Sequence, residues 1–261
     1  MSFVECHDEP IHIPGSIQSF GYLIGIDAAS HEIIFFSENI TDLFPVGEKN
    51  DLFGKQISDL PEMYTSISQS DIFRDLESHT RRENETYFDK ILIGGKNYHF
   101  SVFRTDDNIF LEFEAVIGNP EKRITNKYDN FYIIEDGEEI WNQLLSTLFK
   151  IINYDRIMVY QFMSDGSGKV IAEKTNNNLE SYLGLHYPES DIPRQAIELY
   201  LKKRKRIFSN VYSEPVPILS RKKESIDLTF SGSRAMSPIH GQYIKNSGAS
   251  SSFSVSIIID D

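Results

Sequence analysis

The apolar positions of this chain follow a two-residue period in some stretches and a helical one in others, and the alternation between them outlines the elements. Residues 21–26 and 32–36 are short apolar runs of strand length, separated by Asp27, Ala28, Ala29 and Ser30, a composition that suits a hairpin turn. Residues 39–44 and 51–60 predict short helices, and residues 66–77 predict a third. Three strands are then predicted at 87–93, 98–104 and 109–116, joined by Gly94-Gly95 and by Asp106-Asp107-Asn108. Two strands, small helices and three antiparallel strands make a compact α+β pattern. Before it, residues 1–17 carry Pro10, Pro14 and Gly15 and read as an extended arm.

Residues 118–130 are polar, contain Pro120 and show no period, as a linker would. A helix is predicted over 138–153, with Ile140, Leu144, Leu148 and Ile151 on one stripe that serves equally as a core face or as a homodimer interface. Strands at 156–162 and 169–174 flank the turn Ser164-Asp165-Gly166. A further helix begins near Asp191. Ser190 or Asp191 is its N-cap, Pro193 falls in the first turn, and residues 202–206 place positive charge in the last turn. Residues 209–233 show little periodicity, and so long a connection inside a compact domain is usually functional or disordered. A short helix at 238–246 and a strand at 251–259 complete the pattern.

Composition removes several classes. At 261 residues with 40% hydrophobic and 12% aromatic content, the chain has material for two globular cores. No apolar run has the length of a membrane span, and no basic region leads into an apolar core at the N-terminus, which argues against a membrane protein and against secretion. The one cysteine, Cys6, makes no internal disulfide, in keeping with a cytoplasmic protein. A net charge of −13 disfavours nucleic acid and anionic membrane as partners.

Cys6 and His7 are adjacent on an extended arm, where neighbouring side chains point apart, so a thiolate–imidazole nucleophile is weakly supported. A free cysteine there is either inert or a tether for an activated vinyl group on a ligand. The seven histidines lack metal-ligand spacing, and phosphate-binding and nucleophile-elbow motifs are missing. Arg234-Ala235-Met236-Ser237-Pro238-Ile239-His240 is more informative. Its arginine precedes a helix opened by Ser237 and Pro238, with His240 and Tyr243 one turn apart. Arg234 and Arg206 are two potential carboxylate clamps, and Tyr160, Tyr187, Tyr200 and Tyr243 are walls for a flat apolar body as well as ordinary core residues.

Taken together, four segments resemble a phytochrome photosensor of the bacterial, biliverdin-binding kind. They are Cys6-His7-Asp8-Glu9-Pro10-Ile11-His12-Ile13-Pro14-Gly15-Ser16-Ile17-Gln18; Tyr154-Asp155-Arg156-Ile157-Met158-Val159-Tyr160-Gln161-Phe162; Tyr187-Pro188-Glu189-Ser190-Asp191-Ile192-Pro193; and residues 234–246. They stand in the family's order and span nearly the whole chain.

The resemblance implies an α+β protein with a PAS domain over 18–117, a linker at 118–130 and a GAF domain over 131–261, each a central antiparallel sheet flanked by helices. The arm would thread a GAF loop, residues 209–233, as a knot. It implies covalent biliverdin on Cys6, with Asp191 and His240 near the pyrrole N–H groups. Arg206 and Arg234 would be the propionate partners, Ser237, Ser252 and Ser254 polar companions, and Tyr160, Tyr187, Tyr200 and Tyr243 would line the chamber. Plant-type relatives tether through a cysteine just before the histidine, where this chain has Ile239. The function so implied is red/far-red light reception by Z/E photoisomerisation, in a sensory module that is not itself an enzyme. Its partners would be a downstream output domain or response regulator, and a second copy of the chain. The alternative is a pigment-free PAS–GAF module for a small ligand or for dimerisation. Two departures stand out. Ser19-Phe20 replaces a Pro-His pair, and the chain stops at Asp261, short of the family's last GAF strand, its closing helix and a ring D histidine. That end implies a fragment of a longer sensor, with an open sheet edge and impaired photoconversion.

Overall fold

The structure is a computed structural model, and it describes residues 9–77, 86–105, 107–116, 137–176, 178–192, 194–222 and 224–259. In chain order the strands and α-helices are β1 (Ser16–Ile17), β2 (Gly21–Asp27), β3 (Ile33–Ser37), α1 (Ile40–Leu43), α2 (Pro61–Ile67), α3 (Asp71–Glu77), β4 (Thr86–Ile93), β5 (Lys96–Arg104) and β6 (Asn108–Ala115). They continue with α4 (Gly137–Ile151), β7 (Arg156–Phe162), β8 (Gly168–Thr175), β9 (His186–Tyr187), α5 (Arg194–Lys202), β10 (Lys205–Phe208), β11 (Val216–Ser220), α6 (Pro238–Asn246) and β12 (Ser252–Val255). Contacts divide the chain into two compact units, Met1–Ile117 with Glu198–Asp261, and Gly118–Ile197. The expected linker lies outside the described residues.

The first unit is built on a seven-stranded antiparallel sheet of order β1-β11-β3-β2-β6-β5-β4. Its central strands are apolar at almost every position because both faces are covered. Ile24, Phe36, Phe100, Val102, Leu111 and Phe113 meet residues of the small helices on one face. Ile17, Leu23, Phe35, Phe103 and Phe110 meet Leu228 on the other. The close approach of Phe35 requires Gly25, where an added Cβ would lie 1.9 Å from the ring.

Several expectations change. The helix predicted over 66–77 is two, α2 and α3, because the Ser70 hydroxyl accepts from Ile72 N and donates to Asp89, starting a new helix after a break. The 51–60 stretch forms two 3-10 turns, Lys49–Leu52 and Ile57–Asp59. The arm is not wholly irregular, and neither is the 209–233 connection. β1 pairs antiparallel with β11, and β11 also pairs with β3. On its other side β1 meets Arg234 through a bridge from Ile17, and bonds from Gln18 N to Ser233 O (2.7 Å) and from Ala235 N to Ser16 O (3.1 Å) extend the pairing.

Of the charged run 202–206 only Lys202 lies in the last turn of a helix. α5 stops at Lys202, and Lys205–Phe208 is a strand, since Ile207 and Phe208 favour extended backbone and β12 offers a ladder. Neither Ser190 nor Asp191 caps α5. Glu189–Asp191 is a 3-10 turn and α5 begins at Arg194. The last strand is shorter than expected, Ser252–Val255.

The second unit is a three-stranded sheet, β7-β8-β9, with α4 packed on β7 and β8. Its buried stripe is rotated from the expected one: Leu145 is 2% exposed, whereas Ile140 is 44% exposed. Strands from 131–261 therefore fall in three sheets, β7-β8-β9, β10-β12 and, through β11, the seven-stranded sheet, instead of one central sheet.

Candidate functional site

Arg206 sits on β10 at one of its two inward positions, the other being Phe208, whose ring lies 4.6 Å beneath the guanidinium carbon. Its Nη2 donates to the carbonyls of Arg234 (2.6 Å) and Ala235 (3.0 Å), while Nη1 has no hydrogen-bond partner among the described residues. Arg234 is equally buried at 8% exposure, and its Nη1 is likewise unpartnered. Neither guanidinium forms an ion pair with a described residue. Burial, with Arg234 beside it, pushes Arg206 down to about 9, and burial lowers Arg234 too. Two positive charges are thus held out of water with unused donors.

The surrounding frame is rigid. Gln18 Nε2 donates to Ile207 O (2.8 Å) and Arg234 O (3.2 Å), and its Oε1 accepts from Ser209 N (3.3 Å), so one arm side chain ties β10 to the Arg234 segment. The β10–β12 register sets Ser254 opposite Arg206 and Ser252 opposite Phe208, which puts both serines on the arginine's face. Ser254 Oγ donates to the Tyr200 hydroxyl at 3.1 Å. Helix α6 starts at Pro238 with Ser237 as N-cap, its Oγ accepting from His240 N at 3.2 Å and donating to the Glu9 carboxylate. His240 lies 5.4 Å from the Phe208 ring and stacks on Tyr243 at 6.4 Å and 8°. Burial first, then Arg206, holds its pKa below the usual imidazole value, which favours the neutral ring.

The first unit therefore gathers Tyr200, Arg206, Arg234, Ser237, His240, Tyr243, Ser252 and Ser254. The second holds Tyr160, Tyr187 and Asp191. Tyr160 and Tyr187 are 5.8 Å apart, and Gly168 leaves room for the Tyr160 ring, since a Cβ there would lie 2.1 Å from it. Burial raises the Tyr187 pKa. Asp191 ends the 3-10 turn, its N–H bonded to Pro188 O at 3.1 Å. Cys6 lies outside the described residues.

Three contributors escaped the sequence reading: Gln18, Glu9 and Glu112. Glu112 on β6 is 6% exposed and accepts from Ser231 Oγ, Gly232 N, Ser233 N and Ser233 Oγ, anchoring the residues just before Arg234 to the sheet. Its one signal is a lone carboxylate inside the apolar run Ile109-Phe110-Leu111-Glu112-Phe113.

Residues 6–116 match the PAS_2 family, described as a PAS fold, and β11 joins that sheet from outside the matched range. The chain is 32% identical over 267 residues to a bacteriophytochrome of Pseudomonas aeruginosa, covering 99% of this chain and 36% of that protein. It is 32% identical over 277 residues to cyanobacterial phytochrome B of Nostoc, covering 97% of this chain and 35% of that protein. The chain is a relative of the phytochromes. A light-sensor protein kinase of Ceratodon purpureus is also similar, 28% identical over 275 residues, with 95% of this chain and 21% of that protein covered. The chain spans about a third or less of the length of these phytochrome relatives. Among the described residues no helix is long and apolar enough to cross a membrane, and no histidine, cysteine or carboxylate group is arranged to hold a metal.

Proposed function

We propose that this chain is the pigment-binding part of a red/far-red light receptor, with biliverdin held as a thioether on Cys6. The observation that carries the reading is the pair of buried guanidinium groups that form no ion pair among the described residues. A buried charge without a counter-charge is unfavourable by several kcal/mol unless a ligand supplies one, and two such groups fit a ligand with two carboxylates. Arg206 and Arg234 would clamp the two propionates, with Ser237, Ser252 and Ser254 completing their hydrogen bonds. Neutral His240 both donates and accepts, so it suits the pyrrole N–H side of the ligand, and Asp191 would accept there through its backbone carbonyl. Tyr160, Tyr187, Tyr200 and Tyr243 would wall the flat body. Bound biliverdin supplies the light absorption and the Z/E isomerisation. No reaction on a substrate is assigned to the chain.

The Glu9–Ser237 hydrogen bond supports the tether. It holds Glu9, the first described residue of the arm, at the start of α6. The two-sided pairing of β1, with β11 on one edge and Arg234 on the other, supports an arm threaded through the 209–233 loop. We assign the PAS domain to 18–117, the linker to 118–130 and the GAF domain to 131–261. Signalling would pass to an output domain or response regulator, with the receptor as a homodimer in the cytoplasm.

Biliverdin added to the purified chain should give a red-absorbing complex and a zinc-fluorescent band on a denaturing gel. The band should vanish in Cys6→Ser while the colour persists in the native sample. A band that survives the substitution would refute the tether. A chain that takes up no pigment would be left as a PAS–GAF module for another ligand.

A further inference from the structure

Lys202, Lys203, Arg204 and Lys205 follow one another where α5 gives way to β10, and none of them forms an ion pair with a described residue. With Thr86, Phe88, Phe230 and Val255 they line a cavity of about 300 Å³ that shares no residue with the arginine cluster. In a chain of net charge −13 this is a local reversal of sign. The cavity also has an apolar side, since Phe88 and Val255 are both more than half exposed. Lys205 Nζ stands 4.3 Å from the centroid of the Phe88 ring, and Lys203 Nζ 5.8 Å from it.

Lys203 is fixed in place. Its Nζ donates to Thr86 Oγ1 at 3.0 Å and to Phe230 O at 2.7 Å, and an ammonium has a third N–H to give. Burial lowers it to about 8; the positive charges of Lys205, Arg206 and Arg234 act the same way, and Glu112 opposes them. An anion set against the third N–H would relieve that strain and favour the protonated amine.

We propose that this cavity binds a small organic anion, its acid group between Lys203 and Lys205 and its apolar body against Phe88 and Val255. The class is an aryl or alkyl carboxylate or phosphate monoester. Inorganic anions satisfy only the charged half of the site.

Titration calorimetry of the full chain with phenyl phosphate, and separately with inorganic phosphate, tests this at pH 8 in two buffers of different ionisation heat. Phenyl phosphate should bind one to one, about ten-fold more tightly than phosphate, with net proton uptake by Lys203. Lys203→Met should weaken binding about ten-fold and abolish the uptake, and Lys203→Arg should keep the binding and lose only the uptake. Circular dichroism verifies that both variants fold. No saturable binding, equal affinity for the two anions, or unchanged binding in Lys203→Met would each overturn the proposal.

Discussion

Replacing Glu112 with glutamine probes how the first sheet holds the segment that carries Arg234. Ser231 Oγ (2.5 Å), Ser233 N (3.2 Å) and Ser233 Oγ (2.5 Å) all converge on Oε1, while Gly232 N (2.9 Å) and, more distantly, Ser101 Oγ (3.4 Å) reach Oε2. A glutamine keeping its oxygen at the Oε1 position turns its NH2 toward Gly232 N–H, leaving a partly buried donor without an acceptor. That loss is worth about 1–3 kcal/mol. The three remaining bonds lose their charge assistance, and Lys203, Arg206 and Arg234 lose a stabilising negative charge. The expected destabilisation is about 3–4 kcal/mol, since one partner of a buried ionic network has been neutralised. Urea unfolding followed by circular dichroism should show a midpoint lower by about 1–2 M, given slopes of about 2–3 kcal/mol/M. Native-state hydrogen exchange should show the Gly232 and Ser233 amides losing protection before the core strands do. A midpoint shift below about 0.3 M, with Gly232 exchange unchanged, would show that Glu112 does not hold this segment.

Arg206→Met removes a buried, half-unpartnered charge while keeping the stem's length, so pigment-free stability should change by under about 1 kcal/mol. Biliverdin uptake should nevertheless fall sharply, and a variant with full uptake would remove Arg206 from the ligand site. Gly168→Ala drives a methyl into the Tyr160 ring and should destabilise the second unit by about 2–3 kcal/mol, seen in Trp141 fluorescence; an unshifted transition contradicts that packing. His240 has a folded pKa below its unfolded value, so the unfolded chain binds that proton more readily. Its contribution is full above the unfolded value of about 6.5 and is lost as pH falls toward the folded value. The native chain should therefore lose stability between pH 7.5 and 5.5 more steeply than His240→Gln, and parallel curves would exclude the effect.

Elements whose signals are local could be read directly from the residues. Ser237 and Pro238 mark the start of α6, and the turn Ser164-Asp165-Gly166 follows β7; both elements have the boundaries expected of them. Elements that depend on distant partners could not. β10 is a strand because β12, more than forty residues on, pairs with it, whereas Lys202, Lys203, Arg204 and Lys205 alone look like the cationic end of a helix. β11 is a five-residue run interrupted by Pro217, too short to announce itself, and it exists because β1 and β3 each offer it an edge. The arginines, His240 and the serines were legible as residues. Their convergence was implied by the resemblance alone, and the frame that enforces it was not legible, because the roles of Gln18 and Glu112 depend on partners distant in the chain.

That frame explains why the chain tolerates an arrangement that lowers its own stability. Arg206 and Arg234, with Lys203 nearby, feel the buried carboxylate of Glu112, whose oxygens are already engaged by Ser231, Gly232 and Ser233, and Asp227 also acts on Arg234. A flexible site would relieve the excess charge by swinging a guanidinium into water. Here Gln18 ties β10 to the Arg234 backbone, and Arg206 itself spans the carbonyls of Arg234 and Ala235, so neither arginine escapes without breaking the ladder. Positive potential is therefore stored in a preorganised form, and an anionic ligand meets donors that need no reordering on binding. On the proposed function, the stability forgone in the pigment-free chain would reappear as affinity for a ligand with two acid groups, which is the physical reason to expect the empty protein to be looser than the loaded one.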